Sequence, residues 1–290
     1  MIRRSLLEIM NYSSELKYGT DMLEKAAVPD AALDARLLLE EAAAIDHSHF
    51  LLMKGEQVDP RVHESYEEML RQRAERIPLQ QITGYTEFMG LRFLVNKDVL
   101  CPRQDTETLS ECALGYIEHF SERPKVLDLC TGSGCIAISI DKLSDSYVMA
   151  CDISEPALDL ARKNAALNLA SVSFFQGDLF GALPEGKAFD LIVSNPPYIR
   201  TGDIAGLMPE VKDHEPLNAL DGSSDGLLFY RRIIGDSRDF LCPGGAIMLE
   251  IGFDQADQVE EIARGHGFTD IRTIKDLAGN DRVVIIRTGI

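Results

Sequence analysis

The 290-residue chain has no apolar run close to the ~18 residues of a membrane span, and its N-terminus lacks the apolar core of a signal peptide. A soluble, cytoplasmic protein is expected, with no membrane partner. There are six cysteines (Cys101, Cys112, Cys130, Cys135, Cys151 and Cys242), and no two form a C-x-x-C pair. Several sit in apolar, strand-like surroundings, which predicts reduced, buried thiols rather than a redox pair. His47 and His49 have no partner cysteines and read as surface residues, so no metal is expected. Repeats and low-complexity tracts are absent as well. Basic charge is scarce: 29 Lys+Arg stand against 47 Asp+Glu, a net charge of −18. Such a chain is no general binder of phosphate backbones, and no direct nucleic-acid binding is expected. The imbalance is uneven, −4 over residues 1–104 and −14 over residues 105–290.

What is present falls into three segments. Residues 1–77 read as a helical domain. "DAALDARLLLEEAA" (30–43) places Leu33, Leu37 and Leu38 on one face with carboxylates opposite. "PRVHESYEEMLRQRAER" opens on Pro60 and repeats apolar residues at Val62, Tyr66, Met69 and Leu70, and Pro78 should end that helix. Without a catalytic constellation, this domain is assigned to packing or partner recognition. Residues 78–104 change period: Phe88, Leu91, Phe93 and Val95, punctuated by Gly84 and Gly90, predict a linking β-hairpin. Asp105 or Thr106 is then the expected N-cap of a helix running to about His119.

From Lys125 onward, short apolar runs alternate with helical stretches. The runs are "KVLDL", "SYVMACD", "VSFFQGD", "FDLIVSN", "GAIMLEI", "DIRTIKD" and "RVVIIRT", the last two forming an antiparallel pair at the edge. Residues 105–290 therefore predict a seven-stranded, doubly wound, Rossmann-like α/β sheet. Its first strand runs into "DLCTGSGCIA", where Gly132 and Gly134 permit a tight turn and a ligand's close approach to backbone. Asp152, twenty positions after Gly132, ends the second strand, where its carboxylate could accept both hydroxyls of a ribose. Gly132-x-Gly134-x-x-Ala137 also satisfies a dinucleotide-binding pattern, so a dehydrogenase stands as a rival. Asp178, closing the third strand, could accept from an adenine amino group beside the Leu179 N–H. With both acids present, S-adenosylmethionine suits the site better than a pyrophosphate.

The fourth strand ends on Asn195-Pro196-Pro197-Tyr198. The prolines cannot continue a sheet, so this is either a bare stiff turn or a rigid site. Asn195 offers a side-chain acceptor and donor, Pro196 a fixed carbonyl, and Tyr198 a flat face. Together they suit gripping a planar –NH2, with Asn195 and Pro196 each accepting one N–H and steering the nitrogen lone pair toward a methyl donor.

"NPPY" with "DLCTGSG", and with "PLQQITGYTEFMGLRFLVNKDVLCPRQDTETL", "HEPLNALDGSSDGLLFYRRII" and "LAGNDRVV", resembles the peptide chain release factor glutamine methyltransferase family over nearly the whole chain. The resemblance implies a class I methyltransferase sheet that uses S-adenosylmethionine, yields S-adenosylhomocysteine and methylates the glutamine amide nitrogen (N5) of the Gly-Gly-Gln motif in class I release factors. It also implies that Cys130, Thr131, Gly132, Ser133, Gly134, Asp152, Asp178, Leu179 and Asn195 hold the cofactor. Asn195, Pro196, Pro197 and Tyr198 hold the glutamine, with Asn195, Pro196 and Tyr198 catalytic, and the helical domain engages the release factor. "NPPY" alone is shared with ribosomal-protein glutamine methyltransferases and DNA adenine-N6 methyltransferases; the latter should carry a basic recognition domain. Three residues depart from the family pattern: Cys130 replaces a frequent glycine, Leu179 an aromatic and Gln104 a proline.

Overall fold

The computed structural model describes residues 10–184 and 188–289, so the first nine residues of the expected helical segment lie outside it. In chain order the helices and strands begin with α1 (Tyr12–Lys25), α2 (Ala31–Ala43), α3 (His47–Met53), α4 (Pro60–Ala74) and α5 (Leu79–Thr83). There follow β1 (Tyr85–Phe88), β2 (Leu91–Leu94), α6 (Gln104–Ile117), β3 (Lys125–Leu129), α7 (Cys135–Leu143), β4 (Tyr147–Asp152), α8 (Glu155–Leu167), β5 (Ser173–Gln176) and β6 (Phe189–Ser194). The last are α9 (Pro209–Lys212), α10 (Leu228–Asp236), β7 (Leu241–Glu250), α11 (Ala256–Gly265), β8 (Asp270–Lys275) and β9 (Asp281–Arg287). Two compact units result: residues 1–84 with 208–214, and residues 85–207 with 215–290.

The first unit is a helical bundle around Leu23, Leu38, Leu39, Phe50, Tyr66 and Leu70. Its packing departs from the simple stripe expected of α2. Leu33 is half exposed, whereas Asp34 is buried with Ala35, Leu38 and Leu39. The cause is distant in sequence: Asp34 accepts from Arg73 Nε at 2.7 Å, and Arg73 is itself buried in α4. Arg73 and Arg76 also converge on Glu210, which α9 brings into this unit, at 2.8 Å and 2.6 Å. Burial opposes ionisation of Glu210, yet the two guanidiniums outweigh it and hold its carboxyl down at about 2. Pro78 does not end α4. The helix stops at Ala74, Arg76 takes a left-handed turn, and Pro78 caps the short α5 instead.

In the second unit β1 and β2 form an antiparallel hairpin with Phe88 opposite Leu91. The main sheet has the order β5-β4-β3-β6-β7-β9-β8. Its first five strands are parallel, and β9 and β8 are antiparallel to their neighbours. Alternate side chains of the central strands serve two apolar layers. Val126, Ala150, Leu191 and Val193 meet α6 and α7 on one side. Leu127, Leu129, Ile192 and Leu249 meet α10 and α11 on the other. Because the chain runs outward from β3 to β5 and then returns to place β6 beside β3, the strand order reverses between β3 and β6. Ligand crevices open at the carboxyl ends of such a pair.

The N-cap of α6 is Arg103, in extended conformation, not Asp105 or Thr106. Both of the latter have distant partners that sequence spacing does not reveal. Asp105 pairs with Arg282 at 3.0 Å, and Thr106 is buried beside Asn195.

Candidate functional site

At the reversal point a cavity of about 570 Å³ opens, within the range of small-molecule sites. Its walls come from the ends of β3, β4, β5 and β6, the strand-to-helix segment 98–103, and residues 216–221. The β3–α7 turn supplies Cys130, Thr131, Gly132 and Ser133 to the wall. Gly134 lies just behind, as the left-handed N-cap of α7, and a Cβ there would stand 2.9 Å from Ile138 Cδ1. Gly132 is also left-handed but meets nothing within 4 Å, so its requirement is conformational. Cys130 takes a φ of +59°, a conformation that costs a non-glycine residue about 1–2 kcal/mol. That strain is the conformational cost of carrying cysteine rather than glycine at this position.

The turn is held from below and from both sides. Asp128, wholly buried at the end of β3, accepts from the Thr131 hydroxyl at 2.6 Å, and burial pushes its carboxyl up to about 7. Asp152 Oδ2 accepts from Gly132 N–H at 2.8 Å and its Oδ1 from Ser154 N–H at 2.9 Å. Burial raises the Asp152 carboxyl as well. The buried Asn164 amide donates to Ser133 O at 2.9 Å and to Leu94 O, and accepts from Leu94 N–H, fastening the hairpin to the turn. None of these supports except Asp152 was singled out from the sequence.

Asp178 and Leu179 also line the cavity. The Asp178 carboxylate accepts from Arg232 at 2.8 Å, while Leu179 opens a 3-10 turn with φ +50°. Across the cavity, Arg103 donates to both oxygens of the buried Glu215 at 2.7 Å and 2.8 Å. Burial raises the Glu215 carboxyl against the pull of Arg103. Both arginines of the wall are therefore already neutralised, and Asp98, Asp152 and Asp221 stand around the same space. Such a lining favours a cation over a pyrophosphate.

Asn195 and Pro197 are wall residues; Pro196 and Tyr198 lie outside the lining. The turn that carries them is clamped in several places. Ser194 Oγ donates to Leu129 O at 2.7 Å, joining the bases of the two functional turns. Ile199 pairs with Asp221 through an isolated bridge, and Gly222 N–H donates to Ile199 O at 2.8 Å. Gln255, buried at the start of α11, donates through Nε2 to Tyr198 O at 3.0 Å, while its Oε1 accepts from Gly252 N–H at 2.9 Å. Gly222 and Gly226 complete the cradle. A Cβ on Gly222 would lie 2.8 Å from Tyr198 Cα, and one on Gly226 would run into the Tyr198 carbonyl oxygen. "LDGSSDGL" thus serves as the backing of the proline turn. Its paired Asp-Gly steps were the available sequence signal.

Among the described residues, no cluster of three His, Cys, Asp or Glu could hold a metal ion, and no helix is long and apolar enough to cross a membrane.

Residues 15–84 match the PrmC N-terminal domain family, and residues 109–208 match the methyltransferase small domain family. A release factor glutamine methyltransferase of Geobacter sulfurreducens is 41% identical over 283 residues, covering 97% of this chain and 98% of its own. One from Clostridium acetobutylicum is 43% identical over 262 residues, covering 89% of this chain and 92% of its own. A methyltransferase crystal structure from Pyrococcus furiosus aligns over 69% of this chain and 90% of its own, with a TM-score of 0.51 and 21% identity, a likeness of fold. By its identity to full-length relatives across both units, the chain belongs to the release factor glutamine methyltransferase family.

Proposed function

We propose that the protein transfers a methyl group from S-adenosylmethionine to the side-chain amide nitrogen of the glutamine in the Gly-Gly-Gln motif of class I release factors, working in the cytoplasm. The observation that carries this reading is Asn195 on the wall of a carboxylate-lined cavity, facing the glycine turn and Asp152 across the reversal of the sheet. Asp152 is the acceptor for the ribose hydroxyls, Asp178 and Leu179 flank the adenine, and the Cys130–Gly134 backbone approaches the methionine part. When bound, the cofactor supplies an electrophilic methyl on a sulfonium. Two neutralised arginines and the wall carboxylates of Asp98, Asp152 and Asp221 suit that positive charge.

An amide nitrogen is a poor nucleophile because its lone pair is delocalised. Asn195 Oδ1 and the Pro196 carbonyl each accept one N–H of the glutamine, fixing its plane and directing the lone pair at the methyl carbon. The same two acceptors would stabilise the positive charge that grows on nitrogen as the new N–C bond forms and the methyl–sulfur bond breaks, its electron pair staying on sulfur. One N–H proton then leaves to solvent. Pro196 and Pro197 lock the backbone so that the carbonyl keeps its aim. Tyr198 supports the turn, its hydroxyl pushed up to about 12 by burial. The helical unit, residues 1–77 with their following turn, recognises the release factor.

Tritiated S-adenosylmethionine offered with purified release factor, a ribosomal protein and DNA tests this reading. Label should enter the release factor alone; label in the ribosomal protein or the DNA instead would replace it.

A further inference from the structure

Behind Asn195 lies a buried carboxylate that the methyl transfer does not use. Glu250 is the last residue of β7, only 2% exposed, and it does not line the cavity. Ser194 of β6 pairs with Leu249 of β7, so Asn195 and Glu250 come next to each other at the ends of adjacent parallel strands. Thr106 of α6 covers the same spot, and its hydroxyl accepts from Asn195 Nδ2 at 3.3 Å. Both the Thr106 hydroxyl and the Asn195 amide pull the Glu250 carboxyl toward its ionised form.

Among the described residues, Glu250 is part of no salt bridge. The charge of Arg282 in β9 acts on it, but that guanidinium is bonded to Asp276, Asp105 and the Ile251 carbonyl. One carboxylate oxygen, Oε2, is buried without a hydrogen-bond partner among the described residues. A buried acceptor left partly unsatisfied is costly and calls for a reason.

We infer that Glu250, acting with Thr106, is a positioning residue that sets which way the Asn195 side-chain amide is turned. This inference rests on the glutamine-binding role proposed for Asn195. An asparagine amide has two nearly isosteric orientations, with oxygen and nitrogen exchanged. A hydroxyl neighbour tolerates either one, because it both donates and accepts. An ionised carboxylate only accepts, so it makes the two orientations unequal. With Glu250 ionised, the Thr106 O–H donates to the carboxylate and the Thr106 oxygen accepts from Asn195 Nδ2. The amide nitrogen then points inward and Oδ1 is left for the cavity, where the substrate –NH2 needs an acceptor. When Glu250 takes up a proton it gains a donor of its own, and the preference between the two orientations is lost.

Burial pushes the Glu250 carboxyl up to about 7, so the switch falls within the working range of pH. The groups facing it are Asp105 and Thr106 from α6, Cys135 from α7, Asn195 and Tyr198 from the proline turn, Tyr230 from α10 and Arg282 from β9. Of these, Asp105 raises its proton affinity and Arg282 lowers it.

Glu250→Gln is the test, since it keeps the shape and removes the acceptor-only character. Affinity for S-adenosylmethionine and the release factor KM should stay near wild type, while the single-turnover rate falls on the order of 10- to 100-fold. The wild-type rate should rise with pH through about 7, whereas the variant should lack that limb. Thr106→Val should lose rate in the same manner, and Thr106→Ser should recover most of it. A second measurement needs no substrate. In 1H–15N spectra, the Asn195 side-chain NH2 resonances should titrate with a midpoint near 7 in wild type and not in Glu250→Gln. An unchanged rate and pH profile in Glu250→Gln, or Asn195 resonances indifferent to Glu250, would overturn the inference. A wild-type protein that labels no release factor, yet shows the titration, would leave the positioning intact and refute the substrate.

Discussion

Gly226→Ala isolates the backing of the proline turn from every other contribution. Gly226 has φ +74°, and a Cβ there would meet the Tyr198 carbonyl oxygen and lie 2.6 Å from Gln255 Nε2. The left-handed backbone alone should cost about 1–2 kcal/mol. Gly279→Ala supplies the control, because Gly279 has φ +86°, sits in the β8–β9 turn and meets nothing within 4 Å. It should lose stability by the conformational term only and keep full activity. In Gly226→Ala the clash adds overpacking of about 1–3 kcal/mol, and its relief must move a carbonyl that Gln255 holds at 3.0 Å. Bringing the new methyl out to ordinary contact displaces the turn by roughly 1 Å, which at a reacting centre lowers the rate on the order of 100-fold. Urea unfolding gives the stability difference, and single-turnover methylation of release factor gives the rate. Calorimetry with S-adenosylmethionine should show little change, since Gly226 is not a wall residue. Equal stability losses in the two variants, with a near-wild-type rate in Gly226→Ala, would refute the claim that this glycine loop holds the turn.

Three further outcomes are expected. Asp152→Ala should weaken S-adenosylmethionine binding by about 1–3 kcal/mol, measured by calorimetry; tight NAD binding in its place would overturn the cofactor assignment. Glu250 is raised in the folded state from 4.5 to about 7, so the folded protein keeps a proton that the unfolded chain releases, and stability falls as pH rises through that window. Removing this cost, Glu250→Gln should be more stable than wild type at pH above about 7 by up to roughly 3 kcal/mol and no more stable below 4, in urea titrations. Glu210 has the opposite sign. Its depressed carboxyl stabilises the helical unit above 4.5, and that contribution disappears as pH falls toward about 2. Glu210→Gln should therefore destabilise this unit at neutral pH and make little difference at pH ~2, which circular dichroism at the two pH values would report.

The sheet was legible because its central strands are short apolar runs covered on both faces, and because glycine and proline punctuate the strand ends. All seven strands, and the antiparallel pair formed by the last two, follow from that pattern. What escaped it was decided by partners far away in sequence. Asp34 reads as a solvent-facing acid until Arg73, 39 residues later, is found beside it. Asp105 and Thr106 have the composition of a cap, but Arg282 and Asn195 claim their side chains. The candidate cofactor residues stood out since they end adjacent strands. Thr106, Gln255 and Glu250 did not, since nothing local marks a polar residue as the support of another. One trace was visible: an acid near the end of the apolar run "GAIMLEI", where the strand reaches the same carboxyl end of the sheet as "NPPY".

The central claim is that a single glutamine nitrogen receives the methyl group. Tandem mass spectrometry of release factor, incubated with the protein and S-adenosylmethionine, tests it most directly. One added methyl should map to the side chain of the Gly-Gly-Gln glutamine, and a Gln→Ala release factor should remain unmodified. A methyl found elsewhere, or undiminished transfer to the glutamine-free release factor, would contradict the account.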